Sequence, residues 1–372
     1  MSLLPDADLL RRLVAIDSTS AISNLPIADF IADYARRGGA AAVDYLRAPD
    51  GEKTNLLIRF GPEANGDGEG LILSGHMDAV PALEPAWDSD PFVLAERDDR
   101  YYGRGAADMK GFLAVALNAA IASTPRRPLY LLYTYDEEVG TLGARQFALD
   151  WDPARPLPKH CIIGEPTSLR PARAHKGHLK LRIAVTGKSA HSGYPHLGDN
   201  AIEKARPVLD GLSALRRELE AERAHEDLFR DAPYVPLNIA TIHGGTAVNI
   251  VPDRCELEVG IRLLPGMDSD AMIDRVRHAI GHATCDVIGN SPPMLLDATS
   301  AIYQAVKPYA ASGPESVSFA SDAGWLQTMG IHCLLFGPGA IEVAHKANEF
   351  TPKEELHRAG RIYRELIARF CA

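Results

Sequence analysis

Pro128-Leu129-Tyr130-Leu131-Leu132-Tyr133-Thr134-Tyr135-Asp136-Glu137-Glu138 runs from an unbroken apolar segment straight into three carboxylates. An uncharged run rich in Leu and Tyr, without polar alternation, reads as a strand buried on both faces. Working outward, Gly70-Leu71-Ile72-Leu73-Ser74-Gly75, Cys161-Ile162-Ile163-Gly164 and Asn55-Leu56-Leu57-Ile58-Arg59-Phe60 read as further strands, with a turn-rich segment at Gly61 to Gly68. Helical spacing appears at Asp6 to Ile16, Ile27 to Ala35, Phe112 to Ala122 and Gly143 to Asp150. Strands alternating with helices predict an α/β layered domain.

The rhythm changes near residue 175. Leu179, Leu181, Ile183 and Val185 alternate with Lys180 and Arg182, the pattern of a half-exposed antiparallel strand. A long helix at Asn200 to Ala224, strands at Leu237 to Gly244 and Cys255 to Leu263, and a helix at Ser269 to His282 complete an inserted α+β unit. It is expected to end at the break Gly289-Asn290-Ser291-Pro292-Pro293. The first pattern then resumes, with a helix at Ala298 to Ala311, a strand at His332 to Phe336 and a closing helix at Pro352 to Phe370. The expected organisation is a first domain built from residues 1–176 and 290–372, interrupted by 177–289.

Bulk properties narrow the function. A chain of 372 residues suits two domains, and 46% hydrophobic residues suffice for a sizeable core. A formal charge of −10 argues against nucleic acid as a partner. No apolar stretch is long enough to span a membrane, and Met1 to Asp6 lacks the basic start and apolar run of a signal peptide. The cysteines, Cys161, Cys255, Cys285, Cys333 and Cys371, are odd in number and widely spaced, which fits reduced thiols in the cytoplasm.

The chemistry is concentrated where strands end, the place where open α/β sheets bind ligands. Gly75-His76-Met77-Asp78 puts an imidazole after one strand, with Asp78 placed to accept its second ring N–H. Asp108, in Gly103 to Gly111, precedes a helix; it reads as an N-cap, as a bridging carboxylate using both oxygens, or as both at once. Asp136-Glu137-Glu138 is a set of mutually repelling acids that calls for a cation or a proton if buried. Glu165 closes the strand ending at Gly164, and His345 follows the loop Gly337-Pro338-Gly339. Singly each has an ordinary explanation. Jointly, His76, Asp108, Glu138, Glu165 and His345 form the ligand set for two zinc-like ions sharing one bridging group, which leaves Glu137 as a general base.

These segments resemble the M20 metallopeptidase family. Ser74 to Pro81, Gly103 to Gly111, Asp136 to Gly143, Gly164 to Thr167, His175 to Gly177, Thr186 to Ser192, Ile261 to Met267 and Ala344 to Lys346 occur in that family's order along nearly the whole chain. The resemblance implies a catalytic domain with a mixed central sheet flanked by helices, plus an inserted lid of the dimerisation type. It implies two divalent ions, zinc with cobalt as an alternative. His76 and Glu165 would hold one ion, Glu138 and His345 the other, and Asp108 would bridge them. It further implies that Asp78 orients His76, that Glu137 shuttles the proton, and that His191 stabilises the oxyanion. Arg262 and Asn249 would grip the substrate carboxylate, and Gly324 would lie beside the substrate. The implied substrate is a small N-acyl amino acid, foremost N-acetylornithine in arginine biosynthesis, and the implied assembly is a homodimer through the lid. Other amide substrates of the family, such as other acyl amino acids, succinyl-diaminopimelate, acetylcitrulline or dipeptides, share the same ligands. A non-catalytic binding protein on this scaffold would have lost a ligand or the base, and none is lost here.

Overall fold

The computed structural model describes residues 4–310, 313 and 315–372. The chain divides into two compact units. The first comprises Met1–Arg173, Leu296–Glu315 and Ser321–Ala372, and the second Ala174–Leu295 with Ser316–Ala320.

The first unit is built on a six-stranded sheet in the order Ala42–Arg47, Thr54–Phe60, Leu129–Thr134, Leu71–His76, His160–Pro166, His332–Gly337. The last four run parallel and the first two pair antiparallel, so the sheet is mixed. Leu129–Thr134 lies between two neighbours and is buried along its length, which is why its sequence shows no alternation. The helix Gly111–Ile121 is apolar all round because it is wrapped by the helices Asp6–Val14 and Lys353–Cys371. Phe112 packs edge-on to Tyr363, with ring centroids 5.4 Å apart, and reaches the sheet at Gly164. A side chain at Gly164 would lie 1.9 Å from the Phe112 ring. A missing Cβ thus lets the helix sit directly under the strand end that presents Glu165.

The second unit is a four-stranded antiparallel sheet, ordered Leu237–Gly244, Arg254–Ile261, His178–Thr186, Thr284–Ser291. Leu179, Leu181, Ile183 and Val185 point to one face and are fully buried, together with Val208, Leu212 and Leu215 of Ala201–Ala221 and Val276 of Ser269–Ile280. Asn200 caps the long helix by accepting the N–H groups of Ile202 and Glu203.

The boundaries differ from those expected. The break placed at 289 lies inside the strand Thr284–Ser291, which continues pairing to Ser291 opposite His178. Gly289 marks a register shift in that strand, so the glycine signals a bulge and the unit runs on to Leu295. At the other edge, Ala174–His175 already belongs to the second unit, in a small sheet with Met294–Leu295 and Ser316–Val317. The helix expected at Ala298 to Ala311 spans only Ala301–Val306 and passes into a single 3₁₀ turn, Lys307–Tyr309, because Pro308 lacks the N–H that would extend it. Its expected end, Ala311, lies outside the described residues. Among the described residues, no helix is long and apolar enough to cross a membrane.

Candidate metal centre

His76 is the last residue of its strand and is fully buried. Its Nδ1 lies 2.9 Å from the backbone carbonyl of Asp78. A carbonyl only accepts, so Nδ1 carries a proton, and Nε2 faces Oδ1 of Asp108, 2.9 Å away. The Asp78 carboxylate stands 3.6 Å from the ring, so the hydrogen bond that orients His76 comes from the backbone of Asp78. The carboxylate instead accepts Oγ–H of Ser20 at 2.7 Å and the N–H groups of Glu137 and Glu138 at 3.1 and 3.3 Å. Asp78 therefore fixes the turn that follows Leu129–Thr134, and with it the starting points of both glutamates.

Asp108 does not cap a regular helix. Its backbone is non-helical (φ −121°, ψ 89°), and the following helix starts at Gly111 with Lys110 in the capping position. Freed from capping, its carboxylate offers Oδ1 to His76 and Oδ2 to Nε2 of His345, 3.4 Å away. His345 also lies 2.9 Å from Oε2 of Glu138 and adopts φ +60°. Ligand atoms of His76, Asp108 and Glu165 all lie within 4.8 Å of one another, as do those of Asp108, Glu138 and His345. Asp108 is common to both groups. His76, Glu138, Glu165 and His345 come from the carboxyl ends of the four parallel strands or from the loops that follow them, and Asp108 comes from the irregular turn Ala106–Lys110.

The electrostatics ask for positive charge. Burial and the Asp108 charge push the Glu165 carboxyl well above its ordinary range, and the same two causes raise Glu138 to about 7. Burial and the charges of Glu165, Asp322 and Glu138 push Glu137 up as well. Burial opposes ionisation of Asp108, but hydrogen bonds from His345 and His76 outweigh it and hold the group below the usual carboxylate range. Oε1 of Glu165 and Oδ1 of Asp322 are buried with no hydrogen-bond partner among the described residues. Two imidazoles facing this many buried acids, with an unpartnered carboxylate oxygen on one of the ligand residues, Glu165, fit a pair of divalent cations.

Two further acids stand at this centre without a motif of their own in the sequence. Asp322 is buried, accepts Oγ–H of Thr134 at 2.5 Å, and is raised to about 6 by burial. Glu349 holds the loop of Asp108 through its carboxylate. The signal that could have found them is their place: Asp322 precedes a short helix, and Glu349 lies four residues after His345.

His191, Asn249 and Arg262 lie in the second unit. Ala190–His191 pairs with Ile250–Val251, and Ser192 donates its N–H to the Asn249 carbonyl at 3.0 Å, which brings His191 and Asn249 together. The exposed His191 ring accepts the Gly193 N–H on Nδ1 at 3.0 Å, so Nε2 holds the proton and is a donor. Arg262 has no carboxylate partner among the described residues; burial lowers its pKa, and it shares its surroundings with Lys176 and His178. Gly324, in the first unit, is buried in the first turn of Ala323–Thr328, with its N–H donated to Ser321.

Residues 72–369 match Peptidase family M20/M25/M40. The chain belongs to this family. This M20 chain is 36% identical over 391 positions to the acetylornithine deacetylase of Yersinia pseudotuberculosis serotype O:1b (strain IP 31758), covering 100% of this chain and 99% of that protein. It is 38% identical over 331 positions to the acetylornithine deacetylase of Edwardsiella ictaluri (strain 93-146), covering 86% of this chain and 84% of that one. The M20 family metallo-carboxypeptidase Sso-CP2 of Sulfolobus solfataricus superposes with a TM-score of 0.79 over 98% of each chain, at 18% identity. The YXEP protein of Bacillus subtilis, a dinuclear metal binding peptidase from the M20 family, superposes with a TM-score of 0.69 over 98% of this chain and 97% of that one, at 15% identity. At these identities the two structures speak for the fold. Membership makes this M20 chain an amidohydrolase, with two ligand groups suited to a dinuclear centre.

Proposed function

We propose that this M20 enzyme hydrolyses N-acetylornithine to ornithine and acetate. The observation that carries the two-metal chemistry is the sharing of Asp108 between two ligand groups with Glu137 beside them. The substrate is supported by the deacetylase relatives that span the whole chain. His76, Glu165 and Asp108 would hold one ion, and Asp108, Glu138 and His345 the other. Zinc suits this mixed imidazole and carboxylate set, and cobalt is the natural substitute. Bound there, the ions supply Lewis acidity that lowers the pKa of water toward 7 and polarises the amide carbonyl.

The chain's own residues do the rest. Glu137, held by its backbone bond to Asp78, takes the proton from the attacking water and passes it to the leaving amine nitrogen. Its raised affinity for a proton suits that transfer. Nε2–H of His191 donates to the oxyanion of the tetrahedral intermediate. Arg262, a half-buried guanidinium without a carboxylate of its own, pairs with the substrate carboxylate, assisted by Asn249. Gly324 backs the substrate by being small, since its N–H is already engaged. In this reading the enzyme works in the cytoplasm, in arginine biosynthesis, as a homodimer joined through the inserted domain.

The test is a substrate panel with metal-replete enzyme beside a chelated control. N-acetylornithine should give the highest kcat/KM, and chelation should abolish turnover. Higher kcat/KM on dipeptides, succinyl-diaminopimelate or other acyl amino acids would transfer the same chemistry to another substrate. Turnover that survives chelation would reject the two-metal reading.

A further inference from the structure

The loop that carries Asp108 has no regular structure to hold it. Gly105 sits at φ +77°, and Asp108 and Met109 are both non-helical. Such a backbone leaves amide N–H groups without helical partners, and buried donors need acceptors. Here one side chain accepts three of them. The Gly105 N–H donates to Oε2 of Glu349 at 3.0 Å, and those of Ala107 and Asp108 donate to Oε1 at 2.9 and 3.0 Å. Arg104 adds a bond to Oε2 at 2.8 Å, and the Glu349 carbonyl accepts the Gly103 N–H at 3.0 Å. Successive backbone N–H groups converging on an anion form a nest, and here the anion is the chain's own. Glu349 is buried, with 1% exposure, and lies four residues beyond His345. Arg104 also grips Glu84 at 2.8 Å and the Pro81 carbonyl at 3.2 Å, just past the His76–Asp78 turn. One carboxylate therefore joins the segment bearing the shared ligand to the segment bearing the last ligand.

We propose that Glu349 is a positioning residue for the metal centre: it sets the aim of Asp108 and His345 together, so that both ion sites weaken when its reach or charge is changed. This inference rests on the two-metal reading above. A purely structural role would lower the melting temperature of the metal-free protein and leave the affinity of the folded protein intact.

The experiment is calorimetric titration of the metal-free full chain with zinc at 25 °C, for wild type, Glu349→Asp and Glu349→Gln, with the metal-free Tm of each recorded. Aspartate keeps the charge opposite Arg104 but is one methylene short of the Ala107 and Asp108 amides. Glutamine keeps the length, but whichever way it turns, its NH₂ group faces donors, Arg104 and the Gly105 amide on one side or the Ala107 and Asp108 amides on the other. Wild type should bind two ions per chain. Both variants should bind both ions about 10- to 100-fold more weakly, the usual cost of losing a group that orients metal ligands. Variants that bind two ions with wild-type affinity would overturn the proposal. So would variants already unfolded at 25 °C without metal, which would make Glu349 a residue of stability. A wild type that binds fewer than two ions would strike the two-metal reading itself, an outcome the wild-type titration alone reveals.

Discussion

Glu137 and Asp108 illustrate how differently two neighbouring acids can be used. Asp108 is held ionised by two imidazoles, and Glu137 is pushed toward its protonated form by burial and by Glu165. Pairs of acids whose environments separate their pKa values divide the work of ligand and proton carrier. Glu137→Gln should therefore lower kcat by about 10²- to 10⁴-fold, the range for losing a general base, while metal content stays at the wild-type level. Activity within a few-fold of wild type in a steady-state assay would remove Glu137 from that role. At this scale His76, Glu138, Glu165 and His345 could be picked out from sequence because each follows an apolar strand or a glycine-rich loop. Glu349 could not, because its function is to receive the Asp108 N–H, 241 residues away in the chain. The spacing of His76 and Asp78 points to the residue that accepts the ring N–H, but which of its oxygens does so, here the backbone carbonyl, has no signature in sequence.

The elements show the same division between local pattern and distant contact. Long alternating or unbroken apolar runs marked the strands Leu71–His76, Leu129–Thr134 and His178–Thr186. Two-residue strands such as Ala174–His175 and Ser316–Val317 have no period to read, so the return of Ser316–Ala320 to the second unit was not expected. Gly164 is a local requirement with a packing cause. Gly164→Ala should destabilise the protein by about 1–3 kcal/mol through overpacking against Phe112, as read by thermal or denaturant unfolding. An unchanged Tm would mean that the helix Gly111–Ile121 can move away.

A second element-scale prediction concerns His175, whose strand Ala174–His175 lies in the second unit's small sheet. Burial lowers its pKa to about 4, and its Nε2 is buried without a partner among the described residues. The unfolded chain binds a proton near pH 6.5, and the folded chain does so only near 4. The stability contributed by the neutral ring is therefore fully present above about pH 6.5 and is lost as the pH falls toward 4, a change of about 3 kcal/mol. His175→Gln should flatten the fall in Tm across that window. An identical pH profile in the variant would show that the ring does not titrate there.

Across the whole molecule, the sheet gathers acids from widely separated segments into one place, and their repulsion belongs to the free energy of folding. Metal-free protein should melt at a lower temperature than metal-replete protein, and readdition of zinc should restore the Tm. Ligand linkage gives about 4 kcal/mol at a thousandfold excess over Kd. A Tm indifferent to chelation, read by differential scanning calorimetry, would contradict that expectation. The most direct measurement is anomalous diffraction from crystals of the zinc-loaded chain. Two peaks should appear, one among His76, Asp108 and Glu165 and one among Asp108, Glu138 and His345, with Asp108 contacting both. A single peak, or two peaks that do not share Asp108, would contradict the account.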